Sequence, residues 1–137
     1  MCPPRPPQIA LAPRLASLRP FIIESSKGVK SRQELFKSVL PKSWTILSQG
    51  GYFAWVRHPY RGISSEVVCQ SLARDFGIVT LPSSGFAPND SDARGEGLSE
   101  DGKGCIRFAV ANVTDEKIRM LGERLRRIGD DLAQRVR

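Results

Sequence analysis

The sequence lacks the features that mark membrane-spanning, disulfide-linked and zinc-binding proteins. Apolar residues make up 40% of its 137 positions, yet no run approaches the roughly 18 consecutive apolar residues that a membrane span needs. Its three cysteines, Cys2, Cys69 and Cys105, form no even set and have no metal-ligand spacing. The single histidine, His58, has no other candidate ligand near it in the sequence. These shortages exclude a membrane span and argue against a disulfide framework or bound zinc.

A secretory signal is also missing from the N-terminus. Prolines at positions 3, 4, 6 and 7 stand where a signal peptide has its basic and apolar regions. We therefore expect a cytoplasmic protein. Because proline fixes φ and has no backbone donor, residues 1–7 are predicted to be extended or mobile.

The net charge of +7 raises the question of nucleic-acid binding. Phosphate contacts need clustered lysine and arginine, but the basic residues are spread along the chain and form no patch interleaved with aromatic residues. No recognised nucleic-acid motif is present. We expect neither a nucleic acid nor a membrane as partner, and we interpret the charge as solvated helix faces.

Two helices are predicted in the first 40 residues. In the first, from Ile9 to Ile23, apolar residues recur at steps of three and four on one face. Lys27 is expected near its end, where a lysine suits the negative end of the helix dipole. The second helix begins with a capping box formed by Ser31 and Glu34 and stops at a proline.

A hairpin, a third helix and a short strand are predicted next. Residues 44–47 and 52–56 have the aromatic and β-branched composition of strands on either side of a Gln-Gly-Gly turn. Ser64 or Ser65 caps the third helix, and Gly77 ends it, because glycine takes the left-handed conformation without steric cost. Residues 78–81 are predicted to be a short buried strand.

The last third of the chain completes an α+β pattern. Residues 85–104 contain hardly any large apolar side chain and predict a flexible insert. A strand at 105–111 follows, and Thr114 begins the final helix, whose apolar positions from Ile118 to Leu132 share one face. We expect a two-layer sandwich of a small, mostly antiparallel sheet covered by helices.

Two segments carry a family resemblance, GGYFAWV at 50–56 and CIRFAVANV at 105–113. Together with the order and spacing of the elements from about residue 31 to 128, they resemble the C-terminal small domain of class I/II, fold-type-I aminotransferases. The resemblance implies a division into a linking segment, 1–30, and a small domain, 31–137, with its insert at 85–104. It also implies that the chain is a fragment, because family members hold pyridoxal phosphate on a larger domain.

The same resemblance implies a substrate site. Arg107 stands at the position of the family's arginine that binds the substrate α-carboxylate, Phe53 would pack beside it and shield the ion pair, and Tyr52 could line the mouth of the pocket. Alternation along the strand leaves another interpretation open for Arg107, a solvent-facing side chain or one paired with Asp75 or Asp115. For Tyr52, plain alternation between core and surface is the stronger alternative.

Catalytic residues are not expected in this chain. Lys27 follows an SxSK-like pattern, but it lacks the family's surrounding sequence and lies too close to Gly50, so we predict that it is not the cofactor lysine. In the turn at 81–86 a serine replaces the family's glycine, and no substrate contact is predicted for Ser84 or Phe86.

These interpretations lead to one expected function and one alternative. The resemblance implies an amino-acid aminotransferase domain that binds the carboxylate of an amino acid or 2-oxo acid, with pyridoxal phosphate held by the parent enzyme and not covalently by this chain. Without the cofactor lysine, the chain alone is expected to be inactive. The alternative is a non-catalytic interaction module that self-associates, and exposed apolar residues between Leu11 and Ile22 would favour it.

Overall fold

A computed structural model describes residues 4–86 and 104–128 of the chain. The helices are α1 (Arg5–Leu11), α2 (Leu15–Val39), α3 (Ser65–Phe76) and α4 (Asp115–Ile128), and short 3-10 turns occupy Ala12–Arg14 and Ser83–Phe86. The strands are β1 (Thr45–Gly50), β2 (Phe53–Arg57), β3 (Leu81–Pro82) and β4 (Cys105–Ala109). Within these ranges, no helix is long and apolar enough to cross a membrane.

The four strands form one antiparallel sheet in the order β1-β2-β4-β3. β1 and β2 are the predicted hairpin, with Gly51 in its turn at a φ of 51°. Since β2 and β3 both run antiparallel to β4, they are parallel to each other, and α3 makes the crossover between them. The predicted α+β fold class and its single crossover are therefore confirmed.

The helices cover one face of this sheet. Alternate residues of the two central strands point into that layer, and Val56, Ile106 and Phe108 are buried there. Phe36 of α2 packs against Phe108, with the ring centroids 5.5 Å apart. Further core residues come from every helix except α1: Val68 and Leu72 from α3, and Ile118, Leu125 and Ile128 from α4. The alternation leaves the opposite face, which we call the open face, with Phe53, Trp55, Leu81 and Arg107.

The prediction of two separate helices before residue 40 is wrong. One helix, α2, runs from Leu15 to Val39 with Pro20 inside it. Pro20 is the sixth residue of α2, so its missing N–H removes one hydrogen bond close to the helix start and the helix continues. Ser31 is therefore an interior residue and not a cap. Lys27 is also interior, and it does not end a helix.

Two smaller predictions also fail. Residues 5–7 were expected to be extended, but they begin α1, where a proline is tolerated in the first turn because no intrahelical partner exists for its N–H. The predicted buried strand at 78–81 is reduced to Leu81–Pro82. Ile78 is buried, but Val79 is 86% exposed, so this segment leaves the core before it pairs with β4.

The caps predicted for α3 and α4 are confirmed. The Ser64 hydroxyl accepts a hydrogen bond from the Val67 N–H at 3.4 Å, and Gly77 ends α3 in the left-handed conformation. Thr114 accepts from the Lys117 N–H at 3.4 Å. Most of the predicted insert, 87–103, and Leu132 lie outside the described residues. The division at residues 30 and 31, which α2 spans, stays a prediction.

Candidate functional site

Arg107 lies at the centre of the open face. It is directly opposite Trp55 on β2 and Leu81 on β3. The carbon of its guanidinium is 4.2 Å from the ring centre of Phe53 and 4.4 Å from that of Phe86. A cation between two aromatic faces is held by attraction to the ring quadrupoles. The two rings therefore fix the position of this charge.

A concavity of about 420 Å³ adjoins the guanidinium. We call it the Arg107 concavity, and it is lined by Ser48, Gln49, Gly50, Phe53, Trp55 and Arg107. The β1 side of it has an irregular register, because the pairing with β2 shifts between Ile46 and Ser48. Such a bulge locally bends a strand. The concavity thus combines one full positive charge with aromatic and small polar walls.

Arg107 has no acidic partner among residues 4–86 and 104–128. Asp75 pairs with its neighbour Arg74, at 2.8 Å between Oδ1 and Nε. Asp115 lies 3.9 Å from Arg32. The alternative in which Asp75 or Asp115 neutralises Arg107 is therefore not what the structure shows, and within residues 4–86 and 104–128 no carboxylate competes with an anion for this charge.

Gln33 ties α2 to the hairpin that carries Phe53. Its buried side-chain amide donates to the backbone carbonyls of Gly51 at 2.9 Å and Phe53 at 3.3 Å. In return, the Gln49 side chain donates to the Gln33 carbonyl at 2.6 Å. Buried hydrogen bonds of this kind cost most when one partner is removed. They hold β1 and β2 in the relative position that forms the concavity wall.

The turn that carries Phe86 is anchored separately. Ser65 at the start of α3 and Ser83 are both buried, and their hydroxyl oxygens lie 2.9 Å apart. The Ser83 N–H also donates to the Ser65 hydroxyl at 3.2 Å. Beyond this turn, Phe86 meets Trp55 edge to face at 5.6 Å between ring centroids. α3 thus positions Phe86, the second ring that contacts Arg107.

Tyr52 does not line the Arg107 concavity, although its ring centroid is 6.3 Å from that of Phe53. It sits in the hairpin turn, and its carbonyl accepts from the N–H groups of Val110 and Ala111. Its exposed ring adjoins a groove along α2 that includes Phe21 and Ile22. A substrate contact by Tyr52 stays a prediction, and the structure assigns this residue a backbone role at the end of β4.

Pyridoxal phosphate has no covalent anchor at this site among the described residues. No lysine lines the Arg107 concavity. Lys27 lies on α2 with its side chain 71% exposed and 3.4 Å from Glu24. Lys27 does not line the Arg107 concavity. The described lining of the concavity therefore offers no residue that would hold the cofactor covalently.

Phe86 and Trp55 belong to the site although sequence reasoning gave them no role there. Phe86 was set aside because its turn departs from the family pattern. Trp55 occupies the strand position opposite Arg107, and only the pairing register of β2 with β4 brings them together. A signal did exist for Trp55, since it shares the strand face of Phe53 at an interval of two residues.

His58 is a buried titratable group close to the start of β4. Its ring Nδ1 accepts a hydrogen bond from the backbone N–H of Tyr60 at 3.2 Å. The backbone N–H of His58 donates to the Gly104 carbonyl at 3.1 Å. Its Nε2 has no hydrogen-bond partner among the described residues. Burial lowers the pKa of His58 below its ordinary value of 6.5.

Lowering the pH is therefore expected to destabilise the fold through His58. The unfolded chain takes up this proton near pH 6.5, while the folded chain resists it, so stability is present above that pH and is lost as the pH falls below it. One proton corresponds to a slope of at most about 1.4 kcal/mol per pH unit. Urea unfolding between about pH 5 and pH 7 measures the slope. His58→Asn, which retains an acceptor and does not titrate, should flatten it; an equal slope in both proteins would contradict the prediction.

Solved aminotransferases share the fold of this chain. An aminotransferase from Staphylococcus aureus matches 84% of the chain with a TM-score of 0.66 at 24% identity. YbdL from Escherichia coli, described as a methionine aminotransferase, matches 88% with a TM-score of 0.66 at 22% identity. A multiple substrate aminotransferase from Thermococcus profundus matches 94% with a TM-score of 0.63 at 24% identity. No family model and no curated protein matches the sequence.

The match covers only part of each enzyme. This chain spans 27%, 29% and 30% of the length of these three proteins. With identities below 25%, the likeness concerns the fold. The resemblance predicted from residues 50–56 and 105–113 is confirmed at that level, and the chain has the fold of one part of an aminotransferase.

Proposed function

We propose that this chain is the carboxylate-binding domain of a pyridoxal-phosphate-dependent aminotransferase. In this proposal Arg107 binds the α-carboxylate of an amino acid or 2-oxo acid substrate. The observation that carries it is the position of the guanidinium: between Phe53 and Phe86, beside a concavity, and without an acidic partner in the described chain. The fold shared with three solved aminotransferases supports it.

The chemistry of the guanidinium suits this role. Its planar fork offers two parallel N–H donors that match the two oxygens of a carboxylate. Phe53 and Phe86 each contact the guanidinium through a ring face and help to hold it in place. Ser48 and Gln49 line the same concavity.

The remaining chemistry of transamination falls outside the described chain. Moving an amino group needs an electron sink and a base, which pyridoxal phosphate and its lysine provide in such enzymes. We therefore infer that the cofactor is held by a part of the enzyme that is not represented in this chain. The chain by itself is expected to bind the substrate carboxylate and to leave the amino group unchanged. The complete enzyme could form a homo-oligomer.

Carboxylate binding can be tested on the purified chain by NMR titration with 2-oxoglutarate. The expected result is a set of shifted amide signals around Phe53 and Arg107 that saturates with ligand. The matched control is the dimethyl ester of 2-oxoglutarate, which has the same carbon skeleton without the charges. Equal shifts with both compounds, or shifts confined to other regions, would refute the proposal.

One observation favours the alternative, a self-associating interaction module. The N-terminal half of α2 carries a second group of apolar side chains, separated from Phe36 by mostly polar residues. There Leu15, Phe21 and Ile22 are exposed, Phe21 by 71%. A bare apolar surface of this kind marks an interface. A second copy of the chain would cover this surface without any other protein.

Self-association is tested by sedimentation of the wild type and of Phe21→Ser. If the alternative holds, the wild type forms dimers or larger species and the variant is monomeric. Val79→Ser is the matched control, because Val79 is even more exposed but does not line the groove that includes Phe21 and Ile22. A wild type that is monomeric at every concentration would rule out the module.

A further inference from the structure

A second cavity lies on the helix-covered side of the sheet, between α4 and the segment that joins α3 to β3. We call it the α4 cavity, and its volume is about 340 Å³. Its floor is apolar and comes from the core, with Phe36, Phe108 and Ile118 nearly fully buried. Its rim includes Val79 and Met120, both exposed. Ligand pockets typically have volumes of about 300–1,000 Å³ and are mostly apolar.

Two positive charges and no carboxylate line the described wall of this cavity. Lys117 and Arg124 both project from α4, and seven residues correspond to about 10 Å, or two turns, along a helix. Arg124 is partly engaged, since its Nη1 donates to the carbonyls of Phe76 at 3.0 Å and Gly77 at 3.4 Å. The Lys117 ammonium has no hydrogen-bond or ion-pair partner within residues 4–86 and 104–128.

We propose that the α4 cavity binds a small amphipathic carboxylate. The hydrocarbon body would lie against Val79 and Met120, the exposed apolar residues of the cavity, where burial of apolar surface is favourable. The carboxylate would remain at the rim and contact Lys117, with Arg124 adding to the positive potential. A cationic ligand would be repelled by both side chains, and a neutral apolar ligand would gain nothing from them.

This site is independent of the Arg107 concavity. Phe108 and Arg107 are adjacent on β4, so their side chains point to opposite faces of the sheet. Phe108 lines the α4 cavity, whereas Arg107 lines the concavity on the open face. A ligand could occupy either site without touching the other, and the proposal goes beyond the carboxylate binding proposed for Arg107.

Octanoate is a suitable probe, followed by NMR titration of the purified chain. Amide signals of residues around the cavity, such as Ala109, Val113 and Met120, are expected to shift and saturate. Lys117→Glu replaces the attraction between the lysine ammonium and the octanoate carboxylate by a repulsion. Because this pair is accessible to solvent, the change should weaken binding about tenfold. Lys117→Arg should bind within about twofold of the wild type, since it keeps the charge. Octan-1-ol, which has the same chain length without the charge, should bind more weakly than octanoate.

Two control variants separate this proposal from others. Arg119→Glu makes the same charge change on α4 at an exposed position that does not line the cavity, and it should leave octanoate affinity unchanged. Arg107→Gln should leave unchanged the octanoate affinity that is read from the signals around the α4 cavity, so that failure of the Arg107 proposal and of this one can be told apart. Equal losses from Lys117→Glu and Arg119→Glu, or an absence of shifts around the cavity, would overturn the α4 site.

Discussion

Replacing Arg107 by glutamine is expected to weaken binding of 2-oxoglutarate by the chain roughly tenfold to a hundredfold. This range corresponds to about 1.5–3 kcal/mol for hydrogen bonds to a charged group. Glutamine keeps polarity and much of the side-chain length, but it loses the positive charge and the two parallel donors. Isothermal titration calorimetry or NMR titration of wild type and variant measures the ratio of dissociation constants.

Two further variants define what Arg107 contributes. Arg107→Lys keeps the charge and loses the planar fork, and we expect an intermediate affinity because the fork accounts for part of the binding. Arg61→Gln removes an exposed arginine in the loop before α3, away from the concavity, and should leave the affinity unchanged. An equal loss from Arg61→Gln would mean that net charge, and not this site, attracts the ligand.

Replacing Gly122 by alanine is expected to lower the free energy of unfolding by about 1–3 kcal/mol, the usual cost of overpacking. Gly122 is buried where α4 crosses the end of α2. An added Cβ would lie 2.7 Å from both the Cβ and the carbonyl oxygen of Val39. Backbone cannot move aside as a flexible side chain can, so the two helices must separate. Denaturation by urea measures the change.

Gly28 on α2 provides a control for which the opposite change in the free energy of unfolding is expected. A Cβ there would meet only the end of the Arg32 side chain, at 3.8 Å. Alanine favours a helix over glycine by up to about 1 kcal/mol, so Gly28→Ala should raise the stability slightly. If Gly122→Ala were also stabilising, the close approach of α2 and α4 could not be a requirement of this fold.

Much of the fold could be predicted because its signals are local. Aromatic and β-branched composition around a glycine turn placed β1 and β2, and capping residues placed both ends of α3. The capping-box pattern of Ser31 and Glu34 misled because the same residues are tolerated on the surface of a longer helix. The buried residues of α2, Gln33 and Phe36, both lie C-terminal to position 31, so a helix that began at Ser31 would bury them equally well. The continuation of α2 from Leu15 to Lys30 contains no buried residue, so burial does not explain it.

The site was predictable in part for a similar reason. The family resemblance of residues 50–56 and 105–113 indicated Arg107 and Phe53, and an arginine within an apolar strand also needs a partner. Phe86 could not be found in this way. Its contact with Arg107 depends on the crossover through α3 and on the buried pair of Ser65 and Ser83, which are far from Arg107 in sequence.

The strand order also has a consequence for how the chain is made. β4 lies between β2 and β3 but is the last strand to leave the ribosome. Until it emerges, the hairpin and β3 have no backbone contact with each other, and β2 presents a free edge to other nascent chains. Insertion of a late strand between two early ones requires closing a long loop, which slows folding. A polypeptide truncated before residue 105 would therefore be prone to aggregate, because its sheet would lack the strand that joins β2 to β3.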